Sequence, residues 1–249
     1  MDIWKYYNIT HKKHILLNPM SEVKLDGLIT SLNLKSNCKV LDIGCGKGEL
    51  LVRLAELFDI SGVGVDISPY FIKDCMDRKN NRIPDADIEF LEIDGKEYRP
   101  QDNKIFDLTI VMGASFVYRG LSGTIDELKK MTKPNGMIII GEPYWKKEPD
   151  DKYLKMSGIK KEDYSTHFKN IEVSEKAGLT CLYTLVSNSD DWDHYETLQW
   201  WSTDEHIDTY PDDPDNPELS RNVNKAKMEY LLYGRDTLGW AIYVFKLNQ

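Results

Sequence analysis

The residues best suited to chemistry lie in one short run, Val40-Leu41-Asp42-Ile43-Gly44-Cys45-Gly46-Lys47-Gly48-Glu49-Leu50. Apolar residues ending in an acid read as the end of a buried strand, and an apolar-periodic helix begins at once after the glycines. Glycines at alternate positions let backbone N–H groups approach a ligand with no Cβ in the way, so an anionic group on the helix N-terminus is the first expectation. The turn is neither the G-x-G-x-x-G of a dinucleotide fold nor a P-loop, because Lys47 is followed by Gly48 rather than Ser or Thr. A second run, Ser61-Gly62-Val63-Gly64-Val65-Asp66, ends in a carboxylate. Such a group can accept from both hydroxyls of a ribose and repels a 2′-phosphate. Asp42 adds negative charge beside the turn, which suits a cationic nucleoside better than a pyrophosphate.

This set resembles the class I S-adenosylmethionine-dependent methyltransferases over about residues 36–145. The acid-x-Gly-x-Gly-x-Gly motif is carried by Asp42, Gly44, Gly46 and Gly48, and Asp66 matches the ribose-binding acid. Asp94, in Phe90-Leu91-Glu92-Ile93-Asp94-Gly95, matches the acid that meets the adenine amino group. The strand Phe106–Met112 runs into Gly113-Ala114-Ser115, and Pro134-Asn135-Gly136 matches the turn opening the fifth strand. The resemblance implies S-adenosylmethionine as cofactor, S-adenosylhomocysteine as product, and cofactor contacts from Asp42, Gly44, Cys45, Gly46, Asp66, Ile67, Asp94, Gly95, Gly113 and Ala114. Cys45 reads as a small residue fitting the turn, not as a nucleophile.

The methyl acceptor is less directly written. His11 and His14, near Tyr7 in a segment that in such enzymes folds over the active site, are the candidate general bases; a merely exposed helix would look the same. Ser115 and Tyr118 follow the fourth strand, and Glu142, Tyr144 and Trp145 end the fifth, at the sheet edge where open α/β folds place ligands. Trp200 belongs to an aromatic stripe with Trp192, Tyr195 and Gln199, which serves a core or a pocket equally well. His167, His194 and His206 are scattered, so no metal is expected.

Composition narrows the partners. A net charge of −9 disfavours nucleic acid, whose enzymes carry a basic face. The lysines between 146 and 161 alternate with acids, as on a solvated surface. Four dispersed cysteines, Cys38, Cys45, Cys75 and Cys181, fit reduced thiols, and no run reaches membrane length or forms a secretory leader, so a cytoplasmic protein with no membrane partner is expected. The oligomeric state is not legible.

To hold these groups, strands near 39–43, 61–66, 87–93, 105–112 and 136–142 must alternate with helices. The expected fold is α/β, a doubly wound, seven-stranded, mainly parallel Rossmann-like sheet. Its closing hairpin comes from 179–186 and 240–247, with an antiparallel last strand. About fifty residues separate those two strands, predicting a helical insertion over 190–235 that acts as a lid, with helices near 191–207 and 217–234 joined by an acidic, proline-rich link. Residues 1–35 are expected to form a helical segment covering the site, and 36–249 the S-adenosylmethionine-binding domain. The function expected is methyl transfer to a small molecule. The alternatives are a cofactor-binding regulatory protein without turnover, then an NAD-dependent oxidoreductase or a macromolecule methyltransferase.

Overall fold

The glycine spacing governs the architecture, because each tight turn sends the chain from a strand straight into the helix that covers it. The computed structural model describes residues 1–100 and 105–248. In chain order the elements are α1 (Ile3–Thr10), α2 (Glu22–Leu32), β1 (Cys38–Ile43), α3 (Glu49–Leu57), β2 (Ile60–Asp66), α4 (Pro69–Arg82), β3 (Ile88–Glu92), β4 (Phe106–Met112), α5 (Leu121–Met131) and β5 (Thr132–Trp145). They continue with α6 (Asp151–Ser157), α7 (His167–Lys176), β6 (Leu179–Val186), α8 (Ser189–Thr209), α9 (Asn216–Glu229) and β7 (Leu238–Leu247).

Seven strands form one sheet in the order β3-β2-β1-β4-β5-β7-β6. β1 pairs in parallel with both β2 and β4, while β7 runs antiparallel between β5 and β6. The strand order therefore reverses direction between β1 and β4, the position at which doubly wound sheets open a crevice at their carboxyl ends.

Each face of the sheet carries a hydrophobic core. Val40, Ile110 and Ile139 pack on one side with Leu25, Leu28 and Leu51. Leu41, Ile43, Ile138 and Ile140 pack on the other with Ile125, Leu128 and Phe245. Each fully buried aliphatic side chain is worth about 1.5–3 kcal/mol relative to exposure. Aromatic side chains occupy space that only glycine leaves free: Trp240 lies over Gly141, the Tyr144 ring over Gly239, and Phe90 against Gly48 and Gly64.

The elements differ from the expected ones in three places. β5 begins at Thr132, before the Pro-Asn-Gly turn, and runs to Trp145, with Asn135 in the left-handed region at φ 63° and an irregular register between Phe106 and Leu108. The charged stretch after β5 contains the helices α6 and α7, capped by Asp150 and Thr166. The two insertion helices run over 189–209 and 216–229, and the second continues through a wide π turn, Tyr230–Gly234.

Helix α1 packs against α8. The loop between α1 and α2 is tied down by the Ser187 hydroxyl, which donates to the Pro19 carbonyl, and by Lys24 Nζ, 2.5 Å from Asp191. Among the described residues no helix is long and apolar enough to cross a membrane.

Candidate functional site

The turn after β1 is built for close approach. Gly44, Gly46 and Gly48 hold φ values of 72°, 55° and 73°, a region costly for residues with a Cβ. A Cβ on Gly44 would also run into Ala114, and one on Gly46 would come within 2.7 Å of the Leu17 side chain. The Asp66 carboxylate at the end of β2 accepts from Gly46 N at 2.9 Å and from Ser68 N at 2.8 Å, locking the turn onto the neighbouring strand.

Above these strand ends lies a cavity of about 550 Å³. Its floor is Asp42, the 44–47 turn, Asp66, Ile67, Asp94, Gly95, Gly113 and Ala114. Its roof comes from Trp4, Tyr7 and His11, the stretch Ile15–Asn18, and Tyr195 of α8. Phe71, Met112, Phe116 and Val117 complete the walls. Thus every residue expected at the cofactor lines a single space, and so do Tyr7 and His11 from the acceptor set. His14 stands behind His11, with ring centroids 4.7 Å apart.

The charge of the floor is unusual. Burial, with the Asp66 carboxylate beside it, pushes Asp42 up to about 7. Burial also raises Asp66, against the opposing effect of its backbone donors. Asp94 is held low by Lys96, whose ammonium lies 2.8 Å away. The roof is neutral by the same physics: burial lowers His11 to about 3 and His14 to about 4. Lys47, buried in the glycine turn, donates to the carbonyls of His11 and His14 at 2.9 and 3.2 Å and lies 3.4 Å from Asp74.

The amides of Gly44 and Cys45 donate to the Val65 carbonyl, that of Gly46 to Asp66 and that of Gly48 to the Cys45 carbonyl, so the turn offers close approach of its glycine carbons rather than free donors. Two buried carboxylates, Asp42 and Asp66, beside such a turn fit a ligand with a cationic centre. Cys45 shares the floor, and its thiol converges with that of Cys75 on the Gly46 carbonyl, at 3.8 and 3.1 Å. Contact with Cys75 and burial raise Cys45 further, so it stays a thiol.

The remaining residues expected at the acceptor stand elsewhere. Glu142 and Tyr144 alternate with Ile140 on the opposite face of β5 from Ile139, so they point into the second core rather than the cavity. There the Ser115 hydroxyl donates to Glu142 Oε1 at 2.9 Å, and burial pushes Glu142 up to about 7. Tyr118 donates to the Gly95 carbonyl at 2.9 Å, bracing the loop from outside. The Trp145 indole donates to the Lys161 carbonyl, and Trp200 packs near Tyr230 under Lys227. Trp4, Leu17, Asn18, Phe71, Phe116 and Tyr195 line the cavity without having been singled out for it. Of these only Tyr195 carried a signal, its helical spacing from Trp192 and Gln199. Among the described residues no group of three or more His, Cys, Asp or Glu side chains is placed to hold a metal ion.

Comparison with known proteins agrees with this geometry. Residues 34–200 match the family model described as a methyltransferase domain. The Escherichia coli protein YjhP, itself uncharacterized, is 27% identical over 245 residues covering 98% of both chains, and its crystal structure superimposes with a TM-score of 0.91. A Geobacter sulfurreducens S-adenosylmethionine-dependent methyltransferase, solved with S-adenosylhomocysteine, is 27% identical over 98% of each chain, with a TM-score of 0.91. A Thiobacillus denitrificans counterpart, also solved with S-adenosylhomocysteine, is 28% identical over 98% of this chain and 99% of its own, with a TM-score of 0.90. By family model, strand order and the glycine turn after β1, the chain belongs to the methyltransferase-domain family and has the class I, S-adenosylmethionine-dependent architecture.

Proposed function

We propose that this protein transfers the methyl group of S-adenosylmethionine to a small molecule held under the α1–α8 roof. The observation that carries the reading is the single cavity joining Asp42, the glycine turn, Asp66 and Asp94 to the aromatic roof. Asp66 would hold the ribose hydroxyls and Asp94 the adenine amino group, while the amino-acid tail would lie against the 44–47 turn, whose glycines leave room for it. Asp42 would place negative charge near the cationic sulfur. The bound sulfonium supplies an electrophilic methyl carbon, so the protein's own work is alignment and exclusion of water. Orientation alone supplies roughly 7–11 kcal/mol in well-aligned intramolecular reactions. A small acceptor is favoured by the roof, which covers the strand ends, and by the net charge of −9, unsuited to a phosphate backbone.

Thermal-shift measurement with S-adenosylmethionine, S-adenosylhomocysteine, NAD and NADP tests the donor. A ligand at 100 times its Kd stabilises by about 2.7 kcal/mol. The two sulfur nucleosides should shift the melting temperature, the dinucleotides should not, and Asp66→Ala should abolish the shift. A shift with NAD alone, or an unimpaired Asp66→Ala variant, would refute the assignment. Turnover with a metabolite panel separates an enzyme from a binding protein.

A further inference from the structure

The carboxyl end of β5 carries a second concavity, of about 420 Å³. Its walls are the end of β5 with the residues just after it, parts of the 161–166 stretch, and the first turn of α7. It shares no lining residue with the donor cavity. The walls are fastened to one another. Trp145 N donates to the Ser165 carbonyl at 2.8 Å, and the Trp145 indole to the Lys161 carbonyl at 2.9 Å. Tyr164 meets the Trp145 ring edge-on, with centroids 5.3 Å apart.

The fold sorts charges that alternate in the sequence. Lys146, Lys147, Lys161 and Lys169 line the concavity against one carboxylate, Glu148. Neighbouring acids are used elsewhere: Asp150 accepts from Lys152 N at the start of α6, and Asp163 from Lys160 N. Glu148 pairs with Lys161, and Glu172 with Lys169. The Lys146 ammonium donates to the Arg235 carbonyl at 2.6 Å, which leaves its charge in place. Among the described residues neither Lys146 nor Lys147 has a carboxylate within 4.0 Å. Partial burial lowers the Lys146 pKa, and the charges of Arg235 and Lys147 lower it further against that of Asp236. On a chain of net charge −9 this is a local reversal of sign.

One wall is flat and apolar. Helix α7 buries Asn170 and Ser174 yet turns Phe168 outward, 73% exposed, into the lining of this concavity. An aromatic face left in water gains contact when a flat ring stacks on it. Ammonium groups without carboxylate partners bind phosphate as point charges. We propose that this concavity is a second ligand site, for a small phosphate monoester that bears a flat ring, such as a nucleoside monophosphate. The inference goes beyond the methyl-transfer reading and does not rest on it. Lys146 and Lys147 meet the phosphate dianion, and Phe168 stacks on the ring. A space of about 420 Å³ takes one such molecule. The acidic chain around it repels a polynucleotide.

Calorimetry on the full chain tests this, with the donor cavity first saturated with S-adenosylhomocysteine. The probes are adenosine 5′-monophosphate, adenosine (the ring without the charge) and inorganic phosphate (the charge without the ring). At low salt the monophosphate should bind one to one with a Kd below about 1 mM, and the other two at least about tenfold more weakly. Lys147→Glu should weaken the monophosphate at least about tenfold, and Phe168→Ala at least about fivefold. Both side chains are exposed, so each variant should keep its melting temperature and its S-adenosylhomocysteine affinity. No monophosphate binding up to about 5 mM would overturn the proposal. So would binding that either substitution leaves unchanged, binding matched by adenosine or by inorganic phosphate alone, or a single-stranded oligonucleotide that binds more tightly. A protein that fails to bind S-adenosylhomocysteine strikes the donor assignment instead, and the Lys147→Glu contrast still decides this site.

Discussion

The ammonium of Lys47 lies 2.9 Å from the carbonyl oxygen of His11. The fourth residue of the glycine turn, which forms the cavity floor, thus grips the segment that forms its roof. The grip extends to the carbonyl of His14, and Asp74 balances the charge from α4. Burial lowers the Lys47 pKa, so this lysine sits in a partly dry environment where its carbonyl partners depend on it.

Lys47→Met should therefore loosen the roof before it harms the sheet. Leaving buried carbonyls unpaired costs about 1–3 kcal/mol each, so a loss of about 2–4 kcal/mol in unfolding free energy is expected, with faster limited proteolysis near residues 11–18. Unchanged denaturant melts and an unchanged proteolytic pattern would contradict the role.

Donor affinity should depend on pH through Asp42. Its pKa of about 7 in the free protein means that a cation binding beside it favours the ionised form. Affinity for S-adenosylmethionine should rise as pH climbs from 6 to 8, by about threefold to tenfold, and level off above. S-adenosylhomocysteine, which lacks the sulfonium charge, should gain less. Parallel calorimetric titrations measure both slopes, and equal slopes would remove Asp42 from the role.

Two glycines separate backbone strain from collision. Gly44 and Gly120 both have positive φ, at 72° and 98°, but a Cβ on Gly120 meets nothing within 4 Å whereas one on Gly44 strikes Ala114. Gly120, at φ 98° and ψ −173°, holds a conformation that is essentially glycine's own, so Gly120→Ala should cost about 1–3 kcal/mol and leave S-adenosylhomocysteine affinity intact. Gly44→Ala should add a packing penalty of about 1–3 kcal/mol and reduce affinity more than tenfold. Chemical denaturation and calorimetry on the two variants test the contrast.

His14 makes the fold acid-sensitive in a predictable direction. Its folded pKa of about 4 lies below the ordinary 6.5, so below pH 6.5 the unfolded chain binds a proton that the folded chain refuses. Its contribution is complete above 6.5 and is lost as pH falls toward 4. Comparing wild type with His14→Gln cancels the raised carboxyls Asp42 and Glu142, which act in the opposite sense. The stability gap between the two proteins should shrink by roughly 2 kcal/mol between pH 7.5 and pH 5. A constant gap would rule out the effect.

The floor was legible in the sequence because backbone geometry wrote it. Glycines at 44, 46 and 48 are demanded by positive φ, and Asp66 by the need to hold the turn. The roof was not, since His11 and Tyr195 meet across the whole length of the sheet region, and nothing local in either segment announces the other. Proximity to the sheet's carboxyl edge also misled: Glu142 follows β5's apolar run, but strand alternation turns it and Tyr144 into the far core. One residue of register decides such a placement. The 189–209 helix was visible from its aromatic spacing, while α6 and α7 were hidden by their mixed charge.

On the proposed reading the donor end is made by short turns at the ends of consecutive strands and the acceptor end by two stretches of chain outside that repeat, so the two can change independently. Grafting the α1 loop and α8 from one relative onto the strand framework of another should transplant the choice of acceptor while leaving the appetite for the methyl donor untouched. In such a chimera, position 47 would have to suit both parents, since its ammonium fastens one end of the cavity to the other.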